Sequence, residues 1–262
     1  MTPIRVTWRL TMLLLHLILG ALIVAYEQVR RRNWYNSEQG KQTIQWWAAR
    51  ACRILAIHVT VTGEISARSK TLFVANHISW IDIIALSAVL QVKFISKESL
   101  KYWPLIGWLA TSVGTLLIRR GKYFVVTRVV ALIKRELKQR HAVLVFPEGT
   151  TTDGRQVTAF RSALLQSVSY SDASVQAVAL QYHTATGLDR HAPYIGKDNF
   201  VFHLLRLSMR DKTQLKLQFT PEFSTQELDR REVARLARDH IISALEDRPY
   251  SVPLQAADRQ VA

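Results

Sequence analysis

The sequence predicts an α/β fold: a mixed, mostly parallel sheet flanked by helices, with a membrane-associated helical segment ahead of it. Three observations predict it. Between residues 58 and 250, apolar runs of strand length alternate with longer segments of helical periodicity. Two runs, Leu72-Phe73-Val74-Ala75 and Val143-Leu144-Val145, are apolar throughout, as are strands covered on both faces. Each leads directly into a chemically rich turn, Asn76-His77-Ile78-Ser79-Trp80-Ile81-Asp82 and Phe146-Pro147-Glu148-Gly149-Thr150. An α/β enzyme builds its site from such turns, at the carboxyl edge of its sheet.

The N-terminal segment comes first. Leu10 to Tyr26 contains no Asp, Glu, Lys or Arg. As a helix it is about 26 Å long, slightly under the roughly 30 Å hydrocarbon core. Ala21 and Ala25 stand among large residues and offer no small-x-small cleavage site, so the segment reads as an uncleaved anchor. Arg5 and Arg9 precede it; Arg30, Arg31 and Arg32 follow. If the helix spans, that asymmetry places the rest of the chain in the cytoplasm. Ile44 to Ile57 carries Trp46, Trp47, Ala51, Ile54 and Leu55 at near-helical spacing, with Arg50 and Arg53 between them. It reads as an interfacial helix with tryptophans at headgroup depth, or as a helix packed on the core. Residues 1–57 are therefore assigned to an anchor and interfacial helix, 58–250 to the main domain and 251–262 to a loose tail.

Within the main domain, strands are predicted at His58–Thr62, Leu72–Ala75, Val92–Ile95, Thr115–Ile118, Ala142–Phe146 and Val175–Tyr182. Helices are predicted at Ile81–Leu90, Val125–Arg140 and Phe160–Ser169, with a broken one at Leu100–Ser112 around Pro104 and Gly107. Leu215, Leu217 and Phe219 alternate with polar residues, the pattern of a half-exposed strand. Ser224-x-x-Glu227 reads as a capping box opening a last helix, whose Val233, Leu236, Ala237, Ile241, Ala244 and Leu245 share one face.

Charge narrows the partners. A formal net charge of +15 predicts attraction to polyanions. Arg and Lys are spread along the chain rather than gathered into a nucleic-acid module, and the apolar N-terminus points to an anionic membrane surface instead. A single cysteine allows no cysteine-built zinc site and no intrachain disulfide, and Cys52 reads as a small buried residue; no histidine but His77 has a carboxylate at matching spacing, and no metal and no cofactor are expected.

The two turns carry the chemistry. His77 is the one histidine followed by an aspartate five residues later. Imidazole suits general-base work near neutral pH, and a carboxylate on its second nitrogen fixes tautomer and orientation. Five residues of ideal helix turn about 500°, leaving the two side chains some 140° apart. They meet only if His77 precedes the helix, with Ile78-Ser79-Trp80 outside it or entering it and Ser79 as an N-cap. The bland alternative is a histidine capping that helix. Pro147 stiffens the second turn, and Gly149 admits a ligand to backbone amides suited to a phosphate or an oxyanion. The alternative there is a structural strand-end turn. Arg119 and Arg120 close a further strand on opposite faces, so one of them reaches a site, or both form a solvated pair.

Four blocks in order, Asn76 to Asp82, Gly114 to Arg120, Phe146 to Thr150 and Val175 to Leu180, resemble the glycerolipid acyltransferases typified by 1-acyl-glycerol-3-phosphate acyltransferase. The resemblance implies a membrane O-acyltransferase that moves a fatty acyl group from acyl-CoA or acyl-ACP, as co-substrate, to the free hydroxyl of a lysolipid. It implies His77 as base and Asp82 as its orienting partner. It places Asn76, Ser79, Arg120, Glu148, Gly149, Thr150 and Arg161 at the substrate. The acceptor implied first is 1-acyl-sn-glycerol-3-phosphate, giving phosphatidic acid. The chain departs from the family pattern at three single positions and one segment: Arg119 replaces an acidic residue, Thr151 an arginine and Ala177 a proline, and Phe160-Arg161-Ser162-Ala163 replaces Phe-Lys-x-Gly. Thr150-Thr151-Thr152-Asp153-Gly154 with Phe160-Arg161-Ser162-Ala163-Leu164 resembles the bacterial branch that acylates lyso-ornithine lipid, the alternative acceptor, with Arg161 supplying the missing cation. The implied place is the bacterial inner membrane, catalytic domain toward the cytoplasm. Two rivals stand: a non-catalytic, membrane-anchored lipid-binding protein, and a hydrolase using Ser79, which lacks a Gly-x-Ser-x-Gly elbow.

Overall fold

The computed structural model describes residues 2–31, 33–68, 70–118, 123–248 and 250. In chain order, helices α1 (Thr2–Arg30) and α2 (Glu38–Ile54) lead to strands β1 (Ile57–Thr62) and β2 (Thr71–Ala75). Then come α3 (Ile81–Val89), β3 (Val92–Lys97), α4 (Pro104–Ser112), β4 (Leu116–Ile118), α5 (Tyr123–Lys138) and β5 (Ala142–Val145). A 3₁₀ turn at Ser162–Ser167 precedes β6 (Ser174–Thr184), β7 (Gly187–Leu188) and α6 (Phe200–Met209). The chain closes with β8 (Thr213–Phe219), β9 (Phe223–Ser224) and α7 (Arg230–Leu245). It is the predicted class, a mixed α/β sheet flanked by helices, and it divides into two compact units.

One unit comprises Val61–His77, Gly121–Gln181 and Lys216–Ala262. Its spine is β2, paired in parallel with β5 on one side and β6 on the other. Every residue of β2 is buried, which accounts for its unbroken apolar run. The register Leu72↔Val143, Phe73↔Leu144, Val74↔Val145 brings the carboxyl ends of β2 and β5 side by side. In β8, Leu215, Leu217 and Phe219 are buried and the residues between them half-buried, the alternation read from sequence. α5 and α7 pack on the 3₁₀ turn, where Leu165 is fully buried.

The other unit comprises Met1–Thr60, Ile78–Arg120 and Tyr182–Leu215. α1 packs on α2, α4 and α6. Trp47 and His16 tie α1 to α2 three times: the rings stack at 4.7 Å, the Trp47 indole N–H donates to the His16 carbonyl at 3.1 Å, and His16 Nε2 lies 2.9 Å from the Trp47 carbonyl. A β-carbon at Gly20 would stand 2.6 Å from that indole nitrogen, so the close approach requires glycine. Gln28 donates to Ser112 Oγ at 2.8 Å. At the other end Arg5 pairs with Asp211, and the Arg9 guanidinium donates to the carbonyls of Ser208, Arg210 and Asp211, at the C-terminus of α6. β3 and β4 pair in parallel, and α2 covers α3. Cys52 is buried among these helices, its thiol pushed up to about 12, so it is inert.

Several elements differ from the sequence reading. α1 begins at Thr2 rather than Leu10, because Arg5 and Arg9 are satisfied by the end of α6. α2 begins at Glu38, capped by Ser37, whose hydroxyl accepts the Gly40 N–H. Its two tryptophans divide: Trp46 is exposed and Trp47 packs on α1. The expected helix at 160–169 is only the 3₁₀ turn, since the Arg161 N–H is given to the Pro147 carbonyl rather than to a helical turn. The last helix is not opened by Ser224 and Glu227. Ser224 lies in β9, paired with Ser174, and the capping box is formed by Asp229 and Glu232. α6 was not foreseen. The 251–262 tail lies outside the described residues.

Candidate active site

In the β2–β5 unit, the first turn leaves β2 with Asn76. Its side-chain amide donates to the Leu180 carbonyl at 3.0 Å and accepts the Leu180 N–H at 2.8 Å. Asn76, expected at the substrate, is buried and continues the strand pairing toward β6. His77 follows, half-buried, its ring stacked on Phe146 at 4.0 Å and 17°.

The second turn holds the His77 main chain at both polar atoms. Glu148 Oε1 accepts the His77 N–H at 2.9 Å, and the Thr152 N–H donates to the His77 carbonyl at 2.8 Å. Glu148 is buried, and its other oxygen accepts the Thr158 N–H at 3.2 Å and hydroxyl at 2.6 Å. The carboxylate therefore acts as a clamp: it fixes where the histidine leaves the strand. A buried carboxylate requires such donors.

Gly149 closes that turn with φ +74°, its N–H donating to the Phe146 carbonyl at 3.1 Å. The Arg161 guanidinium lies against it; a β-carbon at Gly149 would stand 2.9 Å from Arg161 Cζ. Thr150 and Arg161 are exposed. His77, Glu148, Gly149 and Arg161 are thus gathered at one sheet edge. Gly149→Ala is expected to cost about 1 kcal/mol in stability, from the left-handed backbone, and to displace Arg161. The checks are thermal unfolding and the acceptor KM, which should rise while kcat changes less.

The other unit holds the rest of the first turn. Residues 76–79 are non-helical and α3 begins at Ile81, as the His77–Asp82 spacing demands. Asp82 is fully buried in the first turn of α3. Its Oδ2 accepts the N–H groups of Ile78 at 2.7 Å and Ser79 at 2.9 Å, and its Oδ1 accepts the Tyr182 hydroxyl at 2.7 Å. Burial, with the Asp82 charge beside it, pushes the Tyr182 hydroxyl well above its ordinary value, so it stays a donor. Asp82 therefore holds the turn that enters α3; the N-cap is Trp80, with no side-chain cap, rather than the expected Ser79, which is buried with its hydroxyl unpartnered among the described residues. That burial leaves Ser79 poorly placed as a nucleophile. Arg120 and Arg119 lie outside the described residues. Among the described residues no group of His, Cys, Asp and Glu could hold a metal ion.

Sequence reasoning did not single out Tyr182, Thr158, Thr152 or the Phe146 ring. Tyr182 had one signal, a tyrosine at the carboxyl end of a largely apolar strand run. Thr158 had none, lying in irregular chain ten residues beyond its partner.

Comparison with known proteins adds three findings. Residues 57–181 match the family model described as Acyltransferase. The chain is 39% identical over 202 residues to the lyso-ornithine lipid O-acyltransferase of Pseudomonas aeruginosa, covering 77% of each chain. It is 34% identical over 148 residues to the 1-acyl-sn-glycerol-3-phosphate acyltransferase of Neisseria gonorrhoeae, 56% of this chain and 58% of that one. Among solved structures, the 1-acyl-sn-glycerophosphate (LPA) acyltransferase PlsC from Thermotoga maritima superposes with a TM-score of 0.70. It covers 96% of this chain and 100% of its own, at 18% identity, a likeness of fold.

Proposed function

We propose that this chain, which belongs to the acyltransferase family, esterifies the free hydroxyl of lyso-ornithine lipid. That the acceptor is a lysolipid follows from the family and from the relatives reported above. The choice among lysolipids rests on the likeness to the Pseudomonas aeruginosa lyso-ornithine lipid O-acyltransferase along three quarters of the chain. The Pro-Glu-Gly turn supports it. Thr151 stands where a phosphate-binding arginine would stand, and one exposed guanidinium, Arg161, lies over Gly149. An ornithine headgroup offers a carboxylate, one negative charge, which a single guanidinium meets in a bidentate pair. A phosphate monoester brings nearly two.

In the proposed reaction, an imidazole nitrogen of His77 takes the acceptor hydroxyl proton as the oxygen attacks the thioester carbonyl of acyl-ACP or acyl-CoA. The tetrahedral adduct collapses, the C–S bond breaks, and the imidazolium returns the proton to the thiolate. Asp82 orients the ring and balances its transient charge. Glu148 positions His77 through the main chain, and Arg161, Gly149 and Thr150 receive the headgroup. Arg120 is assigned to the acceptor as well. No cofactor enters.

The chain is membrane-associated through α1, the one described helix long and apolar enough to cross a bilayer. Both its ends are held to its own unit, Arg5 and Arg9 at the end of α6 and Gln28 at Ser112. Its outward stripe, Ile4, Trp8, Leu15, Ile18, Leu22, Tyr26 and Val29, follows helical spacing along the whole element. That supports a helix seated in one leaflet, the cytoplasmic face of the inner membrane, where acyl-ACP and acyl-CoA are present.

The test is acyl transfer in vesicles, with lyso-ornithine lipid and lysophosphatidic acid offered side by side to each donor. Transfer to lyso-ornithine lipid, with Arg161→Ala raising its KM about tenfold, is the expected result. Transfer to lysophosphatidic acid alone would establish the second reading, which the Neisseria gonorrhoeae relative favours. Vesicle binding with no transfer to either acceptor would favour the lipid-binding protein.

A further inference from the structure

Helix α6 presents two unlike faces. At about 100° per residue, Val201, Phe202, Leu205 and Met209 fall within an arc of about 100°. Val201 is 59% exposed, Phe202 72% and Met209 51%. On the opposite side His203 and Leu207 are buried. The N-terminus of the helix is firmly set, Asn199 accepting the N–H groups of Val201 and Phe202. An exposed phenylalanine and valine on a capped, well-packed helix are not explained by the fold of the unit.

Their neighbours say what covers them. α1 packs on α6, and its outward stripe is the apolar surface already assigned to the bilayer. On the other side the Phe200 ring meets Trp103 at 5.1 Å, and Trp103, Leu105 and Trp108 at the start of α4 are exposed as well. Tryptophans at such a border sit at headgroup depth. Three helices of one unit thus share an apolar exterior, on a chain whose +15 charge favours an anionic leaflet.

We infer that α6 is a second bilayer-inserting element, its Val201–Phe202–Met209 face seated in the same leaflet as α1. The inference rests on the membrane reading of α1. Its consequence is proximity: the inserted helix touches the Ile78–Asp82 turn. The buried His203 accepts the Trp80 indole N–H on Nδ1 at 3.0 Å, while its Nε2 lies 3.2 and 3.1 Å from the carbonyls of Ala192 and Pro193, which fixes the neutral Nε2–H tautomer. The Trp80 ring meets Phe200 at 5.1 Å, and the Tyr194 N–H donates to the Ile78 carbonyl at 3.0 Å. The bilayer surface and the Asp82 end of the catalytic turn are therefore joined through one helix, and a bilayer-embedded acceptor meets the enzyme beside α6.

Two measurements test it. Buried Cys52 is the chain's one cysteine, so Phe202→Cys and Trp8→Cys variants each take a fluorophore at one accessible place. They are mixed with vesicles of phosphatidylglycerol and phosphatidylcholine whose acyl chains carry a quencher. Quenching at both positions is expected. Quenching at 8 but not at 202 overturns the inference and leaves the α1 reading standing; quenching at neither overturns both. In the second measurement, Phe202→Asp should slow transfer to an acceptor held in vesicles about tenfold or more, and leave transfer to a short-chain, monomeric acceptor unchanged. An equal fall with both acceptors, or no fall with either, overturns the inference.

Discussion

His77→Ala is expected to lower acyl transfer by about 10²- to 10⁴-fold, the range for loss of a positioned general base, while vesicle binding stays at the wild-type level. The fold should tolerate the change. The contacts that hold this turn are made by the His77 main chain, its N–H to Glu148 and its carbonyl from Thr152, and alanine keeps both. The change also removes the ring packed on Phe146, a contact worth about 0.5–1.5 kcal/mol for such an aromatic pair. Initial rates at saturating donor, with thermal unfolding and vesicle sedimentation alongside, separate the catalytic loss from the structural one. A variant that keeps transfer within a factor of two would remove His77 from the mechanism.

How this site became legible in the sequence, and where legibility stopped, follows from the range of the interactions. The two turns could be read because their signals are local: an apolar run, then residue types that only chemistry or tight turns favour. That they belong together is supplied by β2 and β5 lying adjacent and parallel, a pairing across some seventy residues. The clamp by Glu148 and the Tyr182 bond to Asp82 are of that long-range kind, and no spacing rule reaches them. The last helix makes the same point at short range. Ser224-x-x-Glu227 and Asp229-x-x-Glu232 are equivalent capping boxes on paper, five residues apart. Pairing of Ser224 with Ser174 takes the first box into a strand and leaves the second to open the helix. α6 was hidden for a different reason. Its outward face is as apolar as its inward one, so it lacks the polar stripe by which a helix on a soluble domain is read.

Substitution of Asp82 should produce the other large effect, and two variants divide it into charge and structure. Asp82→Ala leaves the Ile78 and Ser79 N–H groups and the Tyr182 hydroxyl without their acceptor in a fully buried place. Each unsatisfied donor costs about 1–3 kcal/mol, so this variant is expected to unfold well below the wild type, or not to fold. Asp82→Asn is the informative one. Its carbonyl oxygen can still accept from Ile78 and Ser79, and its NH₂ can donate to Tyr182 once that hydroxyl rotates to accept. The bonds that hold the turn into α3 survive and the charge is gone. If Asp82 orients His77 and balances the imidazolium, as proposed, the asparagine variant should keep its thermal stability within about 2 kcal/mol of wild type and lose about 10²- to 10⁴-fold in kcat, with acceptor KM little changed. A rate within threefold of wild type would make Asp82 an anchor for the turn entering α3 and nothing more. Equal losses in stability and rate would leave its charge serving the fold rather than the reaction.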